Sequence, residues 1–346
     1  MFGNKKLAIC LIFFLSVLQF LPATAQNTVY PTHWWTGFKD PNLNLIIRGK
    51  EVGSYNFVTI SSPDIQVKSV RKATSKNYLL IDLKIGQQAK PGFFTIKLSN
   101  PSGQNETIRY ELKKRDVANG NTRVRGVNAC DFIYLIMTDR FANGDLSNDI
   151  VKTYRDTTCD RTDKFSRHGG DLKGVEDKLT YLQDLGVSTV WLTPVNENDM
   201  PRMNEWGNQV AGYHGYWFTD HYQVDKRFGG NDAYKQLCQA AHAKGMKIIQ
   251  DAIYNHIGSY HWIAQDPPDA DWLNSSQGKN PPHHREEVFF DPYASEQDKR
   301  QMLDGWFVPH LPDLNQRNRD VARFLIQYAI WATEEYGVDG WRVDTY

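Results

Sequence analysis

Arg342 and Asp344 stand two residues apart in Gly340-Trp-Arg-Val-Asp-Thr-Tyr346, and the pair suits nucleophilic chemistry. Alternate side chains of a strand share a face, so a strand here sets the guanidinium beside the carboxylate. A neighbouring cation keeps a carboxylate ionised and oriented, as attack on an anomeric carbon requires. Displacement with retention at such a carbon needs a second carboxyl group, about 5–5.5 Å away, to protonate the leaving oxygen. No candidate for that acid follows Asp344 in these residues. Asp251-Ala-Ile-Tyr-Asn-His256 offers a carboxylate, an amide and an imidazole, a set that hydrogen-bonds sugar hydroxyls. Taken alone, that stretch reads more simply as a strand end whose Asp serves a cap or turn.

A second polar group lies in Asp139-Arg-Phe-Ala-Asn-Gly-Asp-Leu-Ser-Asn-Asp149. Asn143, Asp145, Asn148 and Asp149 crowd a turn containing Gly144. Hard oxygen donors at this density suit Ca²⁺, which takes ~6–8 of them. The competing reading is an Asx-rich turn whose side chains satisfy their own backbone.

These residues need strands and helices to hold them. From Asp131 onward, apolar runs at 132–137, 187–192, 246–250 and 252–254 alternate with helical spacing. Val175, Leu179, Leu182 and Leu185 recur at helical intervals before Gly186. Tyr234, Leu237, Cys238 and Ala241 do so before Gly245, and Val321, Phe324, Leu325, Tyr328 and Ala332 before Gly337. Buried strands alternating with amphipathic helices predict a parallel sheet with helices outside. Residues 338–344 read as the fourth strand. A complete eight-fold barrel takes roughly 250 residues, so 131–346 predicts the first half of a (β/α)₈ barrel. Residues 257–316 form a long excursion after the third strand, with Trp262, Trp272 and Trp306, and read as a loop subdomain.

Upstream the rhythm differs. Short β-type runs at 43–48, 57–60, 78–85 and 92–98, separated by turn residues, predict a small β-sandwich over 27–115. Residues 116–130, polar and glycine-containing, read as a linker. Trp34 and Trp35 are adjacent, and neighbours on a strand point to opposite faces, so at least one belongs to packing.

Lys5 and Lys6, an apolar stretch to Leu21 and Ala23-Thr-Ala25 form a secretory signal, with cleavage expected after Ala25. Cys10 leaves with it, and Cys130, Cys159 and Cys238 remain. Three thiols in an oxidising compartment allow one disulfide, for which Cys130–Cys159 is one option. Forty basic residues balance forty acidic ones, so no charge excess points to nucleic acid or, once the signal is cleaved, to an anionic membrane.

The strand-end motifs resemble the α-amylase family of glycoside hydrolases, and they occur in that family's order. Gly186-Val-Ser-Thr-Val-Trp-Leu-Thr-Pro194, Asp251–His256, Leu311-Pro-Asp-Leu-Asn315 and Gly340–Asp344 are similar to its signature regions. The resemblance implies Asp344 as nucleophile, Arg342 as its partner, and Asp251 and His256 as holders of sugar hydroxyls. Tyr213-His-Gly-Tyr-Trp217 also matches, implying Tyr216 as a stacking platform with His214 and Trp217 on the substrate. It further implies a structural Ca²⁺ at Asn143, Asp145, Asn148 and Asp149, completed by Gly169 and Asp171.

Pro31–Phe38 with the following Pro-Asn-Leu resembles the module preceding the barrel in neopullulanases and cyclomaltodextrinases, where it often supports a homodimer. Together with the signal, this resembles periplasmic enzymes of starch utilisation. The implied reaction is double displacement on maltooligosaccharides, pullulan or cyclodextrins. Leu311-Pro-Asp departs from the Met-Pro-Lys of many cyclomaltodextrinases, and Asn196 stands where an apolar residue is expected. In the family the acid/base Glu belongs to a fifth strand and a His-Asp pair to a seventh. Neither lies in these residues, so the expectation is a fragment, unstable and catalytically silent alone. Two rival readings are a transglycosylase and a glucan-binding protein without catalysis.

Overall fold

Between Thr28 and Lys114 the β-branched and aromatic runs form eight strands: β1 (Thr28–Tyr30), β2 (Trp34–Thr36), β3 (Asn42–Arg48), β4 (Phe57–Ile60), β5 (Ile65–Lys72), β6 (Tyr78–Ile85), β7 (Gly92–Ser99) and β8 (Asn105–Lys114). They pair as two sheets, β1-β3-β6-β5 and β2-β8-β7-β4, which is the expected sandwich. This computed structural model describes residues 27–274 and 287–345. The secretory signal and its cleavage point therefore lie outside the described residues, as do residues 275–286 of the loop subdomain.

Leu43, Leu45, Ile47, Leu79, Ile81 and Leu83 share one face of the first sheet by register, and all are buried. The opposite face, with Asn44 and Ile46, meets the barrel, where Asn44 exchanges two hydrogen bonds with Gln327. Periodicity misses β5 because a register shift between Val67 and Ser69 breaks its alternation. It misses β8 because that strand's outer residues are polar and exposed. Both Trp34 and Trp35 are buried, so neither presents a ring to solvent.

The second half carries β9 (Ile133–Ile136), β10 (Thr189–Leu192), β11 (Asn196–Glu197), β12 (Met203–Glu205), β13 (Asn208–Val210), β14 (Asp220–Val224), β15 (Lys247–Ala252) and β16 (Gly340–Val343). β9, β10, β15 and β16 pair side by side in parallel, in chain order, as a barrel's first four strands do. Helices at Leu172–Asp177 with Leu179–Asp184, at Gly230–Ala243 and at Arg319–Tyr336 join them. The first is interrupted at Lys178, although its buried leucines keep one helical stripe. The sheet stays open, with β9 and β16 at its edges, and Ile133 and Leu135 remain exposed on the inner face.

The last helix is delimited by its own caps. Asn318 accepts hydrogen bonds from the Asp320 and Val321 amides, and Gly337 ends the helix at φ 83°. A Cβ on Gly337 would lie 2.7 Å from the Arg123 guanidinium, so the close approach also requires glycine.

Sandwich and barrel share a polar and aromatic seam. Glu335 meets His33 at 2.9 Å and Lys113 at 2.8 Å, and these partners hold its carboxyl well below the usual range despite burial. Tyr30 stacks on Trp262 at 4.8 Å, which puts the loop subdomain's tryptophan under the sandwich. Residues 116–130 form a strap, not a loose tether: the Arg125 amide bonds Asp339 at 2.8 Å and its guanidinium bonds the Met246 carbonyl. Among the described residues, no helix is long and apolar enough to cross a membrane.

Two sequence puzzles resolve here. Asn196 is buried with purpose: its Nδ2 donates to the His221 carbonyl at 2.8 Å and the Tyr328 hydroxyl at 2.9 Å. The Cys130–Cys159 option is not realised, and Cys130, Cys159 and Cys238 are all free thiols. Cys130 sits before β9, at the strand's start, whereas Cys159 feels Asp149 and Asp139 beyond that strand's end.

Candidate active site

The parallel pairing decides which side chains meet. Register sets Trp191 beside Ile249 and Asp251 beside Arg342, so all four project from one face at the carboxyl ends of their strands. Arg342 Nη1 lies 2.5 Å from Asp344 Oδ1, and 3.1 and 3.2 Å from the two oxygens of Asp251. Asp251 Oδ2 also accepts from Trp191 Nε1 at 3.0 Å and from the Tyr216 hydroxyl at 3.1 Å. The Asp344 amide bonds the Ala252 carbonyl at 2.9 Å, which extends the β15–β16 ladder to the acid itself.

Asp251 is buried, and burial raises its carboxyl above the ordinary value even though Trp191, Arg342 and Tyr216 pull the other way. Burial and Asp251 together push the Tyr216 phenol up, so it stays a donor. The Arg342 guanidinium is strengthened by Asp344 and Asp251 against the cost of burial. An arginine held between two carboxylates is a fixed charge that positions both.

Tyr216 is held in turn. Its amide donates to His214 Nδ1 at 3.0 Å, and the two rings lie nearly parallel, 5.6 Å apart. Burial, with Arg167, His310, Arg140 and His256 nearby, drives the His214 pKa down to about 3, so the imidazole is neutral. Trp217 corrects the sequence reading, which placed it on the substrate. It is 2% exposed, packed with Met200, Val210 and Leu311, and stands edge-on to His214 and His310. Its successive position after Tyr216 turns it inward, where it backs the platform.

His256 is also buried, at 2% exposure, with Phe307 5.6 Å away and a backbone bridge to Asp313. The Leu311–Asn315 stretch thus packs behind the end of β15, with the Leu314 amide on the Asn255 carbonyl. Sequence reasoning assigned no role to Trp191. Strand parity with Asp251 and Arg342 was the available signal, because the three share a face once the register is known.

The candidate cation turn is organised by Asp171, which caps the helix at Leu172. Its Oδ1 accepts from the Gly174 and Gly144 amides, and its Oδ2 from the Asp145 amide and Asn148 Nδ2. Asp145 spends an oxygen on Ser147. Asn143 Oδ1 and Asn148 Oδ1, by contrast, are buried acceptors that no donor meets. Asn143 Nδ2 is 2.6 Å from Asp149, and Gly169, at φ 80°, lies where a Cβ would be 2.6 Å from that carboxylate. Among the described residues no three His, Cys, Asp or Glu side chains gather as a metal group. The orphaned amide oxygens beside one carboxylate nevertheless fit a hard cation, with Asn143, Asn148, Asp149 and the Gly169 backbone as donors.

Both halves of the chain match families of known proteins. Residues 135–346 match the family described as alpha amylase, catalytic domain, and residues 28–116 match the one described as cyclomaltodextrinase, N-terminal. Neopullulanase 2 of Thermoactinomyces vulgaris is 32% identical over 214 residues, which covers 61% of this chain and 33% of that protein. The intracellular maltogenic amylase of Bacillus subtilis (strain 168) is 30% identical over 246 residues, covering 69% and 37%. Among solved structures, a cyclomaltodextrin glucanotransferase with a three-domain ABC distribution is similar at TM-score 0.51 and 26% identity, covering 62% of this chain and 44% of that one. The chain spans about a third of the length of these two curated relatives.

Proposed function

The chain belongs to the α-amylase family of glycoside hydrolases, and we propose that it carries the nucleophile side of a site cleaving α-glucosidic bonds of starch-derived glucans. One observation carries this reading: Arg342 joins Asp344 to Asp251 at the ends of adjacent strands. In the proposed double displacement, Asp344 attacks the anomeric carbon from one face while the leaving oxygen departs from the other. Tyr216 stacks beneath the sugar under attack, and Asp251 fixes both Tyr216 and Arg342. Maltooligosaccharides, pullulan and cyclodextrins are the proposed substrates, in keeping with the relatives' names.

Protonation of a sugar leaving oxygen needs another carboxyl group, and Asp251 is committed to Trp191, Tyr216 and Arg342. These 346 residues by themselves are therefore proposed to leave unactivated glucans intact. Activated donors bypass that need, which gives the test. A 5-fluoro α-maltosyl fluoride loses fluoride without protonation as Asp344 forms the new C–O bond, and the ring fluorine slows hydrolysis of the ester. Peptide mapping should find the glycosyl label on Asp344. Label elsewhere, or none, overturns the assignment.

Transfer to a sugar acceptor is the second reading, favoured by the likeness to a glucanotransferase structure. Free reducing ends against lengthened chains separate the two. Ca²⁺, where bound, would brace the turn at Asn143–Asp149 and supply no chemistry to the reaction. Export to the periplasm rests on the basic and apolar N-terminus, and N-terminal sequencing of the mature protein should begin at Gln26. A homodimer through the sandwich module is part of the same reading, tested by the mass in solution.

A further inference from the structure

Trp206 stands at the tip of the β12–β13 hairpin and is 91% exposed. Glu205 pairs with Asn208, so Trp206 and Gly207 make the whole loop, at φ 48° and 82°. Positive φ at both central positions is the type I′ geometry, whose first place favours Asn, Asp or Gly. A bulky side chain there is strained. The exposed indole recovers none of that cost by packing.

The hairpin under it is firmly rooted. Val210 is buried with Met200, Trp217 and Leu311, and Met203 and Tyr216 pack on the same small core. Arg202 ties the base to the Gln209 carbonyl and to Asp163. Between the hairpin, Tyr260 and the 308–310 segment lies a pocket of about 520 Å³. The packing beneath it links the hairpin to the active site: Glu205 meets His310 at 3.5 Å, His310 meets the buried Trp217 at 4.7 Å, and Trp217 meets His214, on which Tyr216 lies.

We propose that Trp206 is a second sugar platform, which receives the part of an α-glucan chain extending beyond the residue held on Tyr216. A rigid indole with both faces open suits the apolar C–H face of a pyranose. Glu205 in the pocket beneath it, backed by His310, supplies an acceptor for hydroxyls. The inference rests on the glucan reading above.

Calorimetric titration of the full chain with maltose and maltoheptaose tests it, comparing the parent with Trp206→Asn and Trp206→Tyr. Asn is the residue the turn prefers, so Trp206→Asn should fold at least as stably as the parent. It should nonetheless bind maltoheptaose roughly tenfold more weakly, with maltose binding unchanged, and Trp206→Tyr should restore most of the loss. Equal maltoheptaose binding by parent and Asn variant, or equal weakening for both sugars, overturns the platform. A parent that binds neither sugar removes the glucan reading itself.

Discussion

From one nitrogen, Nη1, Arg342 reaches both oxygens of Asp251 across the β15–β16 pair. The same nitrogen meets Asp344, so the proposed nucleophile and the buried carboxylate are set by one guanidinium. Lysine carries the charge but not the planar, delocalised fork. Charged hydrogen bonds contribute about 1.5–3 kcal/mol each, so Arg342→Lys should slow glycosyl labelling of Asp344 roughly 10- to 100-fold. An unchanged single-turnover rate would detach Asp344 from Arg342.

Asn196 makes a less obvious prediction. Replacing a buried polar residue by Leu ordinarily favours a core, but here it strips partners from the His221 carbonyl and the Tyr328 hydroxyl. Asn196→Leu should therefore destabilise by about 1–3 kcal/mol. Urea unfolding measures it, and a stabilised variant would show that these bonds contribute little.

His214 should leave a mark on the pH profile. Its folded pKa of about 3 lies below the ordinary 6.5. Between those values the unfolded chain binds a proton that the folded chain refuses, so stability rises with pH across the window. The contribution is whole above pH 6.5 and is lost as pH falls toward 3, on the order of a few kcal/mol. His214→Asn, which cannot take up that proton, should flatten this limb. Asp220 and Asp313, pushed up to about 7 by burial, act with the opposite sign. The difference between variant and parent, measured from pH 4 to pH 7, isolates His214.

The turn at Asn143–Asp149 should respond to calcium. A ligand that binds only the folded state stabilises it by about 2.7 kcal/mol at a hundred times its Kd. Ca²⁺ should raise the Tm of the chain more than Mg²⁺ does, because flexible amide and carboxylate oxygens suit the larger ion. Asn148→Ala should abolish most of that gain. Identical melting in both ions would return the segment to an Asx turn.

A fifth test concerns the side chain that the motifs did not single out. Trp191→Phe keeps an aromatic ring beside Arg342 but removes the donor to Asp251. Loss of a bond to a charged group predicts about 1.5–3 kcal/mol of stability, read by urea unfolding. Full stability in the Phe variant would mean that Arg342 and Tyr216 suffice to hold Asp251.

Sequence alone determined the features whose information is local. Periodicities of two and of about 3.6 separated the sandwich from the half barrel, Gly337 closed the last helix, and the two-residue spacing placed Arg342 beside Asp344. What depends on register was decided only by the tertiary structure. Which residue of β10 faces Asp251, and hence the part played by Trp191, follows from strand pairing between segments about sixty residues apart. The burial of Trp217, the closure of His256 behind the Leu311–Asn315 stretch and the partners that justify Asn196 likewise depend on packing between segments distant in the chain. Side-chain direction alternates with every residue, so a function assigned by motif survives only where the pairing points that residue at the cleft.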